Sequence, residues 1–322
     1  MTEHPDLFHT LMAATAAGPA IDGAVLTAVH LARRHKARLF IVHAVPLPRG
    51  ADHGGGSTPN RTPSCPIVPN DAGAAAQQLY ARYAAHCPSL KPDDVRIAWG
   101  VAWEAVFREA VKLKCDLIVM GPHARSPDAA RAPKTKRFLG STADGVISRA
   151  RCPVLIANGA FDASQLNFKR IVVGVDFSSS CTAAVGLAAL FAKRSGAFVS
   201  TFHMLPIAPY PKYSPKALEA DISRQQKRMD ALCSRLLEGT GYQSVLKPGV
   251  QPHAEILNFV EQVGADLIVM GSHTRDRTGK WYAGSVVQRV TCHTRCPVIV
   301  VNGPDALTPW GFVNPAVYPT TT

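Results

Sequence analysis

Residues 266–286 read Asp266-Leu-Ile-Val-Met270-Gly271-Ser-His273-Thr274-Arg275-Asp-Arg-Thr-Gly-Lys-Trp-Tyr-Ala-Gly284-Ser285-Val286. An apolar run, Leu267 to Met270, stops at Gly271, a polar and basic loop follows, and Gly284-Ser285 opens an apolar stretch with helical spacing. The pattern predicts a strand, a phosphate-sized loop and a helix start. Small residues at both ends let backbone N–H groups approach an anion, and the first N–H groups of a helix carry partial positive charge. Glycines after a buried strand also make plain turns, so this stretch alone leaves both readings open.

Working outward, the stretch has a duplicate. Cys115-Asp-Leu-Ile-Val-Met-Gly121 lies over Ala265-Asp-Leu-Ile-Val-Met-Gly271 at an offset of 150, and Gly140-Ser141 lies over Gly284-Ser285 at 144. Arg151-Cys-Pro-Val-Leu-Ile-Ala-Asn158 matches Arg295-Cys-Pro-Val-Ile-Val-Val-Asn302 at the same 144. Upstream, Phe8 to Pro46 lies over Phe168 to Pro206 at a constant 160, without a gap over 39 positions. The chain is a tandem duplication. The falling offsets place extra length in the first copy, in the Gly/Pro/Ser-rich segment 49–70 and in the loop after Gly121; segment 49–70 is expected to be a mobile surface excursion. The organisation expected is a first domain at 1–158, a second at 168–302 and a tail at 303–322. The tail, with four prolines, is expected to be poorly ordered or draped on a neighbour.

Within the second copy the elements alternate. Arg170 to Val175 is a β-branched run, Ser180 to Lys193 an Ala-rich helix, and Phe198 to Leu205 a strand. Lys216 to Glu238 has helix spacing with Gly239 placed to end it; a short strand at Ser244 to Lys247, a helix at Ala254 to Val263, the Leu267 strand, a helix from Ser285 and a last strand at Val298 to Val301 complete the copy. Alternation with uniformly apolar strands predicts an α/β fold: two tandem doubly wound domains, each a parallel sheet with helices on both faces. In such sheets ligands bind beyond the carboxyl ends of the strands at a switch point, which would bring Asp176 and Gly271 together.

Composition narrows the function classes. A chain of 322 residues with 47% hydrophobic and 18% charged residues has the profile of a soluble two-domain protein. No apolar run approaches the roughly 18 residues of a membrane span, and no signal-like segment opens the chain, so a cytoplasmic protein is expected. The eight cysteines are scattered, and Cys292-His-Thr-Arg-Cys296 lacks a second cluster to complete a metal site. A net charge of +12, with a local excess of five between His123 and Arg151, invites polyanions. Without aromatic interleaving or a recognisable motif it argues a solvated basic loop rather than specific nucleic-acid binding.

Taken together, Val-Gly-Val-Asp176 after a first strand, Phe-His203-Met-Leu-Pro closing the second, Asp-Leu-Ile-Val-Met-Gly-Ser-His273, Gly-Ser-Val286 and Arg-Cys-Pro-Val-Ile-Val-Val resemble the universal stress protein family in its tandem two-domain form. The resemblance implies a five-stranded sheet of order 3-2-1-4-5 per domain and pairing of the domains through their last strands, with a homodimer as a further option. In one branch it also implies ATP, with or without magnesium, held by Gly-x2-Gly-x9-Gly-Ser/Thr. Asp176 would then accept ribose hydroxyls, with a helix cap as its plainer role. Val175, Met204 and Met270 would line the adenine, although residues so placed also serve as core. Gly271, Gly284, Ser285 and Val286 match the phosphate motif, with Ser285 expected to cap the helix and touch a phosphate oxygen, and His273 within the loop is a further candidate contact. Thr274 stands where the motif has its middle glycine; Arg275, Arg277 and Lys280 are the available counter-charges, with Arg275 the candidate singled out, although exposed loop cations usually do nothing specific.

The first copy departs further. Ala16 replaces Asp176, Ala124 stands at the middle glycine, and Gly121 to Gly140 spans 19 residues where Gly271 to Gly284 spans 13. A degenerate domain kept for pairing is expected. His43 and His203 recur at the ends of the second strands and read as structural hydrogen-bonding residues, and Cys152 and Cys296 as small buried hydrophobes. The leading expectation is an ATP-binding stress-response protein. Two other readings stay open: an interaction protein with relic loops, and a binder of another small ligand in the same cleft. Slow ATP hydrolysis is disfavoured because Asp276 is the only acid in the loop.

Overall fold

A computed structural model of the chain describes residues 6–18, 21–46, 72–122, 139–157, 167–207, 214–272 and 284–311. The first copy comprises β1 (Thr10–Thr15), α1 (Gly23–Arg34), β2 (Arg38–Val45), α2 (Ala72–Ala84), β3 (Val95–Trp99), α3 (Ala102–Lys112), β4 (Leu117–Met120), α4 (Ser141–Arg149) and β5 (Val154–Ile156). The second repeats the order with β6 (Arg170–Gly174), α5 (Ser179–Ser195), β7 (Phe198–Pro206), α6 (Pro215–Leu236), β8 (Gly241–Gly249), α7 (Pro252–Val263), β9 (Leu267–Gly271), α8 (Ser285–His293) and β10 (Val298–Val301).

Local chemistry sets the helix ends. Ser178 caps α5, its side chain accepting from the Cys181 N–H, and Gly196 closes that helix with φ 65°. Ser214 caps α6 with Pro215 in the first turn. Gly264, at φ 59°, ends α7. Gly239 does not end α6, which stops at Leu236; it takes φ 75° in the turn before β8. That strand is nine residues long, well beyond the four expected at Ser244 to Lys247.

Among the described residues ten strands form one sheet in the order β3-β2-β1-β4-β5-β10-β9-β6-β7-β8, so each copy has the order 3-2-1-4-5. Every pairing within a copy is parallel. The copies meet through β5 and β10, which run antiparallel with Val298 opposite Ile156, Ile299 opposite Leu155 and Val300 opposite Val154. Each of these side chains is buried, and cores on both sheet faces cross the junction: Leu155 and Ile299 belong to one, Val154, Ile156, Val298 and Val300 to the other. An unpaired apolar strand edge would invite association, and here each last strand covers the other. At about 1.5–3 kcal/mol for each fully buried aliphatic side chain, this short ladder contributes substantially to stability.

The lead-in to each first strand is tied by an aspartate. Asp116 accepts from the His9 N–H at 2.6 Å, and Asp266 accepts from the Lys169 and Arg170 N–H groups at 2.7 and 3.0 Å. The acid opening each Asp-Leu-Ile-Val-Met-Gly motif is therefore structural. Of the tail, Pro304–Trp310 forms a 3-10 turn that packs on α5, so this part is draped on the rest of the chain. Segment 49–70, most of the loop after Gly121 and nearly all of the linker lie outside the described residues.

Candidate functional site

In the second copy β6 lies between β7 and β9, with Gly174 opposite Met270 in register. The chain leaves β6 for α5, which packs on one sheet face, and leaves β9 for α8, which packs on the other. The carboxyl ends of β6 and β9 thus form the switch point where such sheets bind ligands. Asp176 emerges there two residues past Gly174 and is exposed. Its Oδ1 accepts from the Ser178 N–H at 2.9 Å and from the Ser178 hydroxyl at 2.6 Å. Ser178, not Asp176, caps α5, and Asp176 steadies that cap.

Phe177 between them takes a left-handed φ of 62°, unusual for an aromatic residue and costly by about 1–3 kcal/mol. Surrounding contacts fix it: the His203 ring lies 4.8 Å away, and the Arg228 guanidinium sits 4.1 Å from the Phe177 ring centroid. His203 Nδ1 in turn pairs with the Val175 carbonyl at 2.8 Å. In the first copy His43 Nδ1 pairs with the Thr15 carbonyl at 2.9 Å, and Ala17, the counterpart of Phe177, has φ 53°. Both copies therefore build the same turn after their first strand, held by the same histidine. Only the second sets an acid in it.

Steric fit accounts for Gly271. A Cβ there would lie 2.5 Å from the Cys181 nitrogen and 2.5 Å from the Ser180 carbonyl carbon, so the glycine lets α5 begin against the end of β9. Met270 and Ile256 cover Gly174, and Met204 covers Gly249. The two methionines are 5% and 8% exposed and belong to the core under α7 and α8, whereas Val175 packs into the core on the opposite face.

At α8 the expected cap is corrected. Gly284 is the capping residue and has no side chain to cap with, and Ser285 is the first helical residue and exposed, so no side chain caps the helix. Capping needs an extended residue ahead of the first turn, and Ser285 already lies inside it. No acid occupies this first turn, and Val286 is half-buried against the core below. Ser272, overlooked in the sequence, lies one residue past Gly271 with its hydroxyl buried and without a hydrogen-bond partner among the described residues. The hydroxyl directly after the glycine was the available signal. His273, Thr274, Arg275 and Asp276 lie outside the described residues.

Among the described residues no group of three or more His, Cys, Asp or Glu side chains could hold a metal, and no helix is long and apolar enough to cross a membrane. Burial pushes the Cys152 and Cys296 thiols above their usual range, which suits inert hydrophobes. His293 Nδ1 pairs with the Arg289 carbonyl at 2.8 Å, so the Cys-His-Thr-Arg-Cys run is a helix end.

Comparison with known proteins matches the universal stress protein family over residues 8–158 and again over 167–302. A universal stress protein of Methanocaldococcus jannaschii is 30% identical over 156 residues, covering 46% of this chain and 91% of its own. One from Thermus aquaticus is 30% identical over 138 residues, covering 42% of this chain and 98% of its own. The crystal structure of a universal stress protein from Archaeoglobus fulgidus aligns with 91% of this chain and 98% of its own, with a TM-score of 0.59 at 18% identity, a likeness of fold.

Proposed function

The chain belongs to the universal stress protein family, and from that premise we propose that its second copy binds ATP or a related nucleotide in a stress response, while the first serves pairing and interaction. The observation that carries this reading is the contrast at the turn after the first strand. Ala17 and Phe177 hold the same left-handed backbone, yet Ala16 precedes one and Asp176 the other. An exposed carboxylate at a switch point suits ribose hydroxyls. The uncapped N–H groups of α8 suit phosphate oxygens, and Ser272 adds a hydroxyl donor one residue past Gly271. Arg275 would supply counter-charge, and magnesium would arrive with the phosphates. The ladder between β5 and β10 is read as the intramolecular interface that occupies both last strands within one chain. A homodimer would have to use another surface.

A second reading has its own support. Gly271, Met204 and Met270 are accounted for by packing alone. On that reading the loop is a relic and pairing is the function. Mass spectrometry of small molecules released on denaturing the purified chain separates the two. An adenine nucleotide from the parent that is absent from Asp176→Ala is expected. A non-nucleotide compound released equally by both proteins would contradict nucleotide binding, as would an empty parent whose melting temperature stays flat in millimolar ATP and magnesium.

A further inference from the structure

We infer that the segment following β10 is a latch: Gly303–Gly311 joins the second copy to the start of the first without a covalent bond, as the linker joins the first copy to the start of the second. The family match ends at residue 302, so this segment lies beyond the repeat itself. Its sequence nevertheless begins like the linker. Asn302-Gly303-Pro304-Asp305-Ala306 stands beside Asn158-Gly159-Ala160-Phe161-Asp162-Ala163, with one residue inserted in the latter.

The contacts are specific. Ala306 and Leu307 are buried in the core beneath α5. The Trp310 indole N–H donates to the Leu7 carbonyl at 2.7 Å, and its ring meets Phe8 edge-on with centroids 6.3 Å apart. From the second copy Phe191 reaches the other side of Phe8 at 5.9 Å, and the Arg194 guanidinium donates to the Asp6 carbonyl at 2.7 Å. The lead-in to β1 is therefore held by α5 and the tail of the other copy.

The duplication explains the arrangement. Leu7 and Asn167 are equivalent at the offset of 160, as are Arg34 and Arg194. Arg34 donates to the Asn167 carbonyl at 3.3 Å, a contact related to that of Arg194 but shifted by one residue, since the equivalent of Asp6 is Leu166. The peptide chain itself arrives at Asn167 from the first copy. Nothing covalent arrives at Leu7 from the second, and Trp310 makes that connection instead. Because α5 begins at the Ser178 cap beside Asp176 and carries Arg194 in its last turn, the latch also fixes the candidate site's helix against the first copy.

Hydrogen exchange on the full chain tests this, read at the His9 and Thr10 amides that donate to Asp116. Trp310→Ala should speed their exchange about tenfold, as expected for losing a part-buried hydrogen bond and its packing, while exchange at the β5 and β10 amides stays unchanged. Trp310→Phe keeps a ring and removes only the donor, and should give a smaller rise at the same amides. A chain ending at Gly303 also loses the buried Ala306 and Leu307, and should speed exchange at the same amides at least as much as Trp310→Ala. Unchanged exchange at His9 and Thr10 in Trp310→Ala would overturn the latch, as would equal acceleration at β5 and β10.

Discussion

Gln288 Nε2 donates to Asp144 Oδ1 at 3.0 Å, and these two residues are the same position in the two copies, 144 apart. Leu155 and Ile299, also equivalent, lie opposite each other in the β5–β10 ladder. Both contacts mark a local two-fold axis through the junction. In a symmetric pair of identical domains each such residue would meet itself, and Asp would face Asp. Joining the copies in one chain lets the position diverge into an acceptor and a donor. Asn302 Nδ2 adds a contact across the same junction, donating to the Ala150 carbonyl at 2.9 Å.

Gln288→Glu should restore the like-charge meeting. We expect a loss of about 1–3 kcal/mol at neutral pH, read from the denaturant midpoint, and recovery of most of it in acid as the pair takes up a proton. Gln288→Ala should cost less, about 1 kcal/mol, and show little pH dependence. Equal stability of Gln288→Glu and the parent at pH 7 would mean the contact contributes nothing.

Gly271→Ala should destabilise the second copy by about 1–3 kcal/mol even without any ligand, because the new methyl meets the backbone at Ser180 and Cys181 rather than a yielding side chain. Thermal unfolding of the ligand-free variant checks this. An unchanged melting temperature would return Gly271 to a purely ligand-facing role.

His35 is buried with its ring edge-on to Phe8, and burial first, then the Arg34 charge, lowers its pKa from 6.5 to about 4. The unfolded chain takes up a proton on this residue as pH falls below 6.5, while the folded chain does not until about 4. Stability from this residue is complete above the higher value and falls as pH drops between the two, by on the order of 3 kcal/mol. Burial of His43 acts in the same direction. His35→Gln should flatten the acid limb of the stability curve in chemical denaturation measured from pH 7 to 4; an unaltered limb would contradict the assignment.

The fold was legible because it is written twice. Constant offsets fixed the repeat, uniformly apolar strands fixed the parallel sheet, and the recurring His43 and His203 pointed to the contacts they make with Thr15 and Val175. Site chemistry was less legible, since one residue type serves several physical ends. Gly271 reads as a phosphate glycine, yet the proximity of α5 already requires it. Ser285 reads as a cap, but the helix starts one residue too early for it. Asp176 reads as either ribose ligand or cap, and its hydrogen bonds to Ser178 leave it steadying a neighbouring cap. Backbone conformation was hidden as well: Lys36 and Gly196, and Lys114 and Gly264, are equivalent positions sharing positive φ with no sequence likeness.

The central claim is that the second copy alone holds a nucleotide, and calorimetric titration of the full chain with ATP and magnesium tests it most directly. We predict about one site per chain, affinity at least about tenfold weaker in Asp176→Ala from loss of a charge-assisted contact, and tighter binding in Thr274→Gly. No binding at millimolar ATP, or equal affinity in the parent and Asp176→Ala, would contradict it.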